Sequence, residues 1–314
     1  MTDHSAGRQV SACEHLTQLL REYTDAVGRQ YLRQFGYDLE AAAATILGMS
    51  EFLRGNLDAA LAANDRAIAK ARTLSSPVTV GAVLRWRAMM MYFVDEDGLE
   101  VDGPTREFLP IGAVRDAVSP DGTVIAVHGL WLARKGDCVR GAEMVRQALR
   151  GFVETDYLPL QSFVRAEIAL QLLRHGAEER MDEFLAPLED NDEEDGWSTP
   201  EVLRIRGEIA ERRGELDLAE ARYREAIALA ERQDALTWRL RAAISLAELW
   251  LGQGRAEDAA AMLAPIRGAF PVGADWPLLQ RAADCLSACR ASGGRRAFLE
   301  GEPSETGDQR SFSR

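Results

Sequence analysis

The sequence has few of the residues on which most enzymes and metal sites depend. Its 314 residues include four histidines and four cysteines, and aromatic side chains make up 7%. Four cysteines in a chain of this length do not form a disulfide framework. No apolar stretch reaches the roughly 18 residues that a membrane span needs, and the opening MTDHSAGRQVSACEHL has no apolar segment of signal-peptide length. We therefore expect a soluble protein in a reducing, cytoplasmic setting.

Positive charge is also scarce. The chain has 37 Lys and Arg against 50 Asp and Glu, which gives a net charge of −13. Nucleic-acid-binding surfaces need clustered basic residues to displace counterions from phosphates, so this chain alone is not expected to bind nucleic acid. Hydrophobic residues reach 46% and exclude a disordered chain. Windows rich in Ala, Leu, Arg and Glu favour helices.

What the sequence does contain is a recurring pair of glycines seven residues apart. The pairs are Gly48/Gly55, Gly129/Gly136 and Gly207/Gly214, with Ala247/Gly254 as a degenerate copy. The second glycines are spaced by about 80, 80 and 40 residues, which predicts two further copies near 176 and 95. At 176 there is indeed a glycine, Gly176. At 95 there is an aspartate, Asp95, which opens the acidic stretch DEDGLEVDGP, and an enlarged loop is expected in that copy.

This spacing predicts helical hairpins. The first glycine lets two helices approach closely, and the second ends the first helix in a left-handed conformation that a Cβ would strain. The next segment restarts as an amphipathic helix, as in LDLAEARYREAIALAERQ, where Ala219, Tyr223 and Ala226 lie on one stripe. One hairpin cannot bury that stripe, so successive hairpins must stack.

The predicted fold is therefore an all-α solenoid of about six antiparallel helical hairpins between residues 38 and 270. A C-terminal capping helix is expected over 276–290. Residues 10–35 are expected to supply the second half of an incomplete leading repeat, so that the solenoid covers 10–291. Residues 1–9 and the polar tail 292–314 are expected to be disordered.

The order Gly207, Gly214, Ala219, Tyr223, Ala226 resembles the small and large positions of the tetratricopeptide family, whose usual period is about 34 residues. The longer period of about 40 is similar to the C-terminal repeat region of large bacterial regulators that join a cyclase or DNA-binding module to an ATPase. Residues 34–71 and 202–255, the run AAAMLAPI and the segment FPVGADWPLL carry the likeness. It implies a right-handed superhelix. Because the chain has no GxxxxGK[ST] motif, it also implies a freestanding repeat module.

The same resemblance implies a groove on the concave face, lined by the first helix of each hairpin. Its apolar half would contain Thr45, Met49, Phe52, Arg85, Met89 and Tyr92, followed by Phe163 and Leu170. Its charged half would contain Glu201, Arg204, Glu208, Glu211, Arg241 and Glu248. An alternative stays open, in which Met89, Phe163 and Leu170 belong to the core between repeats and the charges form an ordinary solvated face.

Metal binding and catalysis are not expected. In LEDNDEEDGW (188–197), placing Gly196 at the sixth position of a calcium loop puts Val202 where the bidentate glutamate is required. Cys285 and Cys289 share a helix face, but no histidine lies nearby in sequence to complete a zinc site. His128 and His175 fall in phase with helix packing. No cofactor is expected.

The sequence therefore indicates a non-catalytic scaffold or regulatory module that binds a protein or peptide in its groove, in bacterial signalling or transcriptional regulation. The alternative is a sensor that encloses a small-molecule effector in the same superhelix. Pairing of two copies through exposed terminal repeats stays open.

Overall fold

A computed structural model of the chain describes residues 2–74, 77–94, 122–155, 160–189 and 196–300. Within these ranges the secondary structure is entirely helical. The α-helices are α1 (Thr2–Ser5), α2 (Gln9–Glu22), α3 (Asp25–Phe35), α4 (Leu39–Leu53), α5 (Leu57–Thr73), α6 (Pro77–Val94), α7 (Gly122–Arg134), α8 (Cys138–Thr155), α9 (Gln161–Arg174), α10 (Asp182–Glu189), α11 (Thr199–Arg212), α12 (Leu216–Arg232), α13 (Leu236–Gly252), α14 (Ala256–Gly268) and α15 (Pro277–Glu300).

The helices form the expected solenoid of stacked hairpins. Five complete hairpins are described, namely α4/α5, α7/α8, α9/α10, α11/α12 and α13/α14. Helix α6 packs as a first helix between α4 and α7, and the acidic stretch expected to enlarge its loop lies outside the described residues. The first helices pack side by side in the order α4, α6, α7, α9, α11, α13, and α15 then covers α13 and α14. The all-α repeat architecture and its capping helix are confirmed.

The two glycines of each pair have different structural roles. Gly55, Gly136, Gly176, Gly214 and Gly254 all have positive φ, between 72° and 95°. At the first positions the limit is space: a Cβ on Gly207 would lie 2.6 Å from the Tyr223 ring, and one on Gly48 would lie 3.0 Å from the Ala60 carbonyl oxygen. The second glycine thus turns the chain, and the first brings the two helices together.

Side chains at the later repeat positions fill the space between the helices. Ala219, Tyr223 and Ala226 of α12 are fully buried. The Thr123–Val127 run, which has the best strand propensity in the sequence, lies inside α7. Burial between stacked hairpins therefore overrides the local preference of these residues for a strand.

The superhelix closes on itself, so that α13 contacts α4. The Thr237 hydroxyl donates a hydrogen bond to the Phe52 carbonyl oxygen. A Cβ on Gly55, in the first hairpin turn, would meet the Phe270 ring at 2.8 Å and the Leu236 side chain at 3.2 Å. The first and last complete hairpins therefore contact each other directly.

Both ends of the described chain are helical. Residues 2–9 form α1 and the turn into α2, where the His4 side chain is buried and Gly7 has a φ of 74°. Residues 10–35 form two helices, broken at Tyr23, rather than half of one repeat. At the other end α15 continues to Glu300, since no proline interrupts the sequence between Pro277 and Pro303. Residues 301–314 of the predicted tail lie outside the described residues.

Candidate functional site

The inner face of the solenoid carries a series of arginine–glutamate pairs that we call the arginine–glutamate ladder. One pair bridges each of four successive steps between first helices, from α7 to α9, α9 to α11, α11 to α13 and α13 to α15. The pairs are Arg134–Glu167, Arg174–Glu208, Arg241–Glu201 and Arg281–Glu248. Charged residues on the concave side therefore join neighbouring repeats.

Glu201 lies at the centre of the ladder and is 1% exposed. Arg204, one turn along α11, donates to its carboxylate from Nε and Nη2 at 2.9–3.1 Å. Arg241 of α13 donates to the same carboxylate at 3.1–3.2 Å, and its Nη1 reaches the Phe93 carbonyl oxygen at 3.4 Å. Two guanidinium groups thus compensate one buried carboxylate, as a buried charge requires.

Glu208 continues the ladder towards the surface. Its carboxylate accepts hydrogen bonds from Arg174 at 2.5 and 2.9 Å, from Arg204 at 3.1 Å and from Arg212 at 3.2 Å. Burial alone would raise the pKa of Glu208, but the charges of Arg204 and Arg174 outweigh burial and lower the pKa to about 2. The side chains of Arg174 and Arg212 are 35% and 45% exposed, so this part of the ladder meets solvent.

At the opposite end, Glu167 is buried and accepts hydrogen bonds from Tyr92, from Gln171 at 2.8 Å and from Arg134 at 3.3 Å. Burial alone would raise the pKa of Glu167, but the charges of Arg134 and Arg174 lower it overall. Burial raises the pKa of Tyr92, and the Arg134 guanidinium stacks 3.5 Å from the centre of the Tyr92 ring. This end of the ladder is structural, because its groups are enclosed.

The apolar half of the predicted groove is part of the core. Met49, Phe52, Met89 and Tyr92 are each at most 1% exposed, and Thr45, Phe163 and Leu170 are buried as well. Phe52 packs against Phe93, Trp238 and Trp276 at centroid distances of 5.8–6.2 Å. These side chains do not line an open groove. Closure of the superhelix brings Trp238 of the last hairpin against Phe52, and Tyr92 packs against Trp131 and Phe163 of neighbouring repeats. This corrects the expectation of an apolar peptide groove.

The charged half of the predicted groove is brought together, but in intramolecular pairs. Arg204, Glu208 and Arg241 belong to the ladder, together with Glu201. Glu211 accepts a hydrogen bond from the Tyr223 hydroxyl at 2.7 Å. Glu248 pairs with Arg281 at 2.7–3.0 Å and is 42% exposed. Arg85 is partly buried.

Five ladder residues were missed by sequence reasoning, namely Arg134, Glu167, Arg174, Arg212 and Arg281. A signal for three of them exists in the repeat. Arg134, Arg174 and Arg212 each stand two residues before the second glycine of their hairpin, in three consecutive copies. Arginines that recur at the same position of successive repeats lie in a row along one face of a solenoid. The structure places these arginines in such a row.

The other candidate chemistry is not assembled in the described parts of the chain. There, no group of three or more His, Cys, Asp or Glu side chains is placed to hold a metal ion. Cys285 and Cys289 are buried, and burial raises the pKa of both thiols, that of Cys285 to about 12. Residues 190–195 of the acidic loop lie outside the described ranges. None of the described helices is long and apolar enough to cross a membrane.

No protein-family model matches the chain, and no curated protein matches it. Among solved structures the chain is similar to the crystal structure of the yeast Tom70, with 13% sequence identity and a TM-score of 0.46. The match covers 92% of this chain and 61% of that one, so the chain spans about three fifths of the length of that structure.

Proposed function

We propose that this protein is a non-catalytic scaffold that binds a protein partner along the exposed end of the arginine–glutamate ladder. That end, which we call the charged rim, consists of Arg174, Glu208, Arg212, Glu248 and Arg281. The observation that carries the proposal is that the ladder runs from a buried centre at Glu201 onto the surface of three consecutive first helices. A partner could therefore contact several repeats at once.

The energetics of exposed ion pairs support this role. An exposed pair contributes about 0–1 kcal/mol to stability, because solvent screens it and holding two long side chains costs entropy. Arg281 and Glu248 are both more than 40% exposed. A partner carrying charges of both signs can replace these intramolecular contacts with little loss of stability. The mixture of signs would also exclude partners of the wrong charge pattern.

Two features argue against a catalytic role or an enclosed effector. The described cysteine thiols are buried with raised pKa values, and thiols of this kind are inert. The inner face of α4 and α6, where an effector would be enclosed, is filled by Phe52, Met89, Phe93 and Trp238. We therefore favour a macromolecular partner. The proposal of a role in bacterial regulation rests on the sequence resemblance, and the proposal of a cytoplasmic setting rests on the composition.

A reversal of charge on the rim tests the proposal. In the double variant Arg281→Glu with Glu248→Arg, the internal pair is kept but the pattern presented to a partner is inverted. The matched control is Arg146→Glu with Glu183→Arg, which reverses another exposed pair between helices, on α8 and α10. Wild type and both variants would be used in cross-linking capture from the source cells, with partners quantified by mass spectrometry.

We expect the rim variant to lose partners that wild type and the control variant both capture, by about tenfold or more, because several mispaired charges each cost on the order of 1 kcal/mol. Circular dichroism would verify that both variants are folded. Equal capture by all three proteins would contradict binding at the charged rim.

A further inference from the structure

The N-terminal segment, residues 2–9, inserts one side chain into the solenoid. His4 is 2% exposed, and its imidazole stacks on Trp197 at a centroid distance of 5.5 Å and an interplanar angle of 26°. The edge of the same ring meets Trp86 at 6.0 Å and 80°. Trp86 belongs to α6 and Trp197 lies two residues before α11, so one ring is held between two distant repeats. We call the space between them the tryptophan slot.

Polar groups complete the tryptophan slot. The Ser50 hydroxyl of α4 lies 3.0 Å from Nδ1 of His4, and the backbone N–H of Trp197 donates to the Ser5 carbonyl oxygen at 3.2 Å. The Gln233 side chain lies against Gly7 and donates to the Gly196 carbonyl oxygen at 3.1 Å. The slot thus recognises a flat ring by its two tryptophans and a peptide backbone by one N–H.

The segment itself is largely a self-contained turn. Arg8 forms an ion pair with Asp3, the Arg8 N–H donates to the Asp3 carbonyl oxygen, and the Gln9 amide donates to the His4 carbonyl oxygen at 3.3 Å. Among the described residues, just two hydrogen bonds join the turn to the slot, those to Ser50 and Trp197. The turn meets the slot through one ring, one carbonyl and the packing of Gly7 on Gln233, and it meets α2 through a hydrogen bond between His15 and Asp3. A turn with so few attachments to the slot resembles a bound peptide more than a part of the repeat.

The fit of His4 is also incomplete. Its Nε2 is buried, and no polar atom of the described residues lies within hydrogen-bond distance. A buried polar atom without a partner costs about 1–3 kcal/mol. A ring that has no polar atom at the Nε2 position, or that carries its donor at another position, would fit the tryptophan slot at least as well as the imidazole of His4. Trp86 is only partly buried, so this wall of the slot reaches the surface.

We propose that the tryptophan slot is a peptide-binding site that residues 2–9 occupy as an internal ligand. The competing occupant is a partner segment that presents one planar ring, imidazole or phenyl, followed by a free backbone carbonyl. Recognition of this kind combines a main-chain hydrogen bond for affinity with a side-chain pocket for specificity. The inference deepens the proposed function, because it gives the scaffold a second contact and a segment that the partner must displace.

The test uses the full chain and a peptide of defined sequence. The probe is an acetylated, fluorescein-labelled peptide of residues 2–9, and the control peptide carries alanine in place of histidine. Protein variants are His4→Ala, which empties the slot, and His4→Phe, which keeps a ring in it. Binding would be followed by fluorescence anisotropy, and release of residues 2–9 by hydrogen exchange.

We expect the His4→Ala protein to bind the probe at least about tenfold more tightly than wild type or His4→Phe, because an attached ligand competes at millimolar effective concentration. The control peptide should bind none of them. Equal binding of probe and control peptide, or no gain in the His4→Ala protein, would overturn the proposal. So would dimerisation of that protein without peptide binding, which would assign the slot to a second copy.

If the His4→Ala protein does not fold, the proposal can be tested with the wild-type chain. Millimolar probe should then increase hydrogen exchange in residues 2–9 by about tenfold while exchange in α11–α14 stays unchanged. Unchanged exchange in residues 2–9 would overturn the proposal. None of these measurements involves the charged rim, so failure of the slot and failure of the rim are distinguished.

Discussion

Thr237 donates its hydroxyl hydrogen to the carbonyl oxygen of Phe52, and 185 residues of sequence separate the two. In an ordinary solenoid each repeat contacts only its neighbours. This contact therefore belongs to the closure of the superhelix and not to the repeat itself.

Replacing Thr237 with valine keeps the shape of the side chain and removes its donor. We expect the free energy of unfolding to fall by about 1–2 kcal/mol, since a buried polar interaction is lost. The matched control is Thr73→Val, whose exposed hydroxyl donates to the Lys70 carbonyl oxygen at 2.7 Å and should change stability by less than about 0.5 kcal/mol. Urea unfolding of both variants measures the difference. Equal effects would mean that closure contributes nothing.

Removing the charge of Glu201 should be among the most damaging single changes. Glu201→Gln removes the carboxylate that Arg204 and Arg241 share, while Glu208 still faces Arg204. Removing one partner of a buried ion pair typically costs about 3–5 kcal/mol. Glu225→Gln breaks the exposed pair with Arg222 and should cost less than about 1 kcal/mol. Denaturant unfolding compares the two variants. A cost below about 1 kcal/mol for Glu201→Gln would contradict the description of the ladder as a charged core.

Two glycine-to-alanine substitutions should change stability in opposite directions. At Gly207 the new Cβ lies 2.6 Å from the Tyr223 ring, and overpacking should cost about 1–3 kcal/mol. At Gly81, inside α6, no described atom lies within 4 Å, so alanine should stabilise the helix by about 0.5–1 kcal/mol. Thermal unfolding measured by circular dichroism checks the signs. A stabilising effect at Gly207 would show that close helix contact is not required there.

Stability should depend on pH through His4. Burial lowers the pKa of His4 to about 4 from its ordinary value of 6.5, so the folded protein holds a neutral ring where the unfolded chain takes up a proton. The stability that the neutral imidazole contributes is fully present above pH 6.5 and is lost as the pH falls from 6.5 to 4. The loss amounts to about 3 kcal/mol, at about 1.4 kcal/mol per unit.

The variant His4→Phe isolates that contribution. Burial also lowers the pKa of His128, and both proteins share this effect. The difference between their free energies of unfolding, measured in urea at pH 7, 6, 5 and 4, should therefore report His4 alone. Parallel curves for wild type and His4→Phe would contradict burial of a neutral imidazole.

The repeat itself could be predicted from local signals. A glycine with positive φ ends a helix for reasons that lie in its own backbone, so Gly136, Gly176 and Gly214 mark hairpin turns wherever the rest of the chain lies. The spacing of about 40 residues then gives the order of the hairpins. Local chemistry of this kind can be read from one sequence without knowledge of the contacts.

Whether the inner face is an open groove or a filled core could not be predicted from such local signals. Whether Met89 and Phe52 line a groove or fill a core depends on the curvature of the superhelix, which accumulates from small rotations between repeats. Closure is decided by contacts such as those of Gly55 with Phe270, which lie far apart in sequence. His4 was missed for the same reason, because its burial depends on Trp86 and Trp197 meeting around it.

A row of repeats ordinarily has two free ends, and unfolding begins there by fraying of the terminal repeats. In this chain the hairpin α4/α5 contacts the hairpin α13/α14, so neither of these two terminal hairpins can separate before the contact between them breaks. Loss of either terminal hairpin therefore exposes two faces instead of one. The array should gain cooperativity from this arrangement and unfold as a single unit, in the manner of a small globular domain.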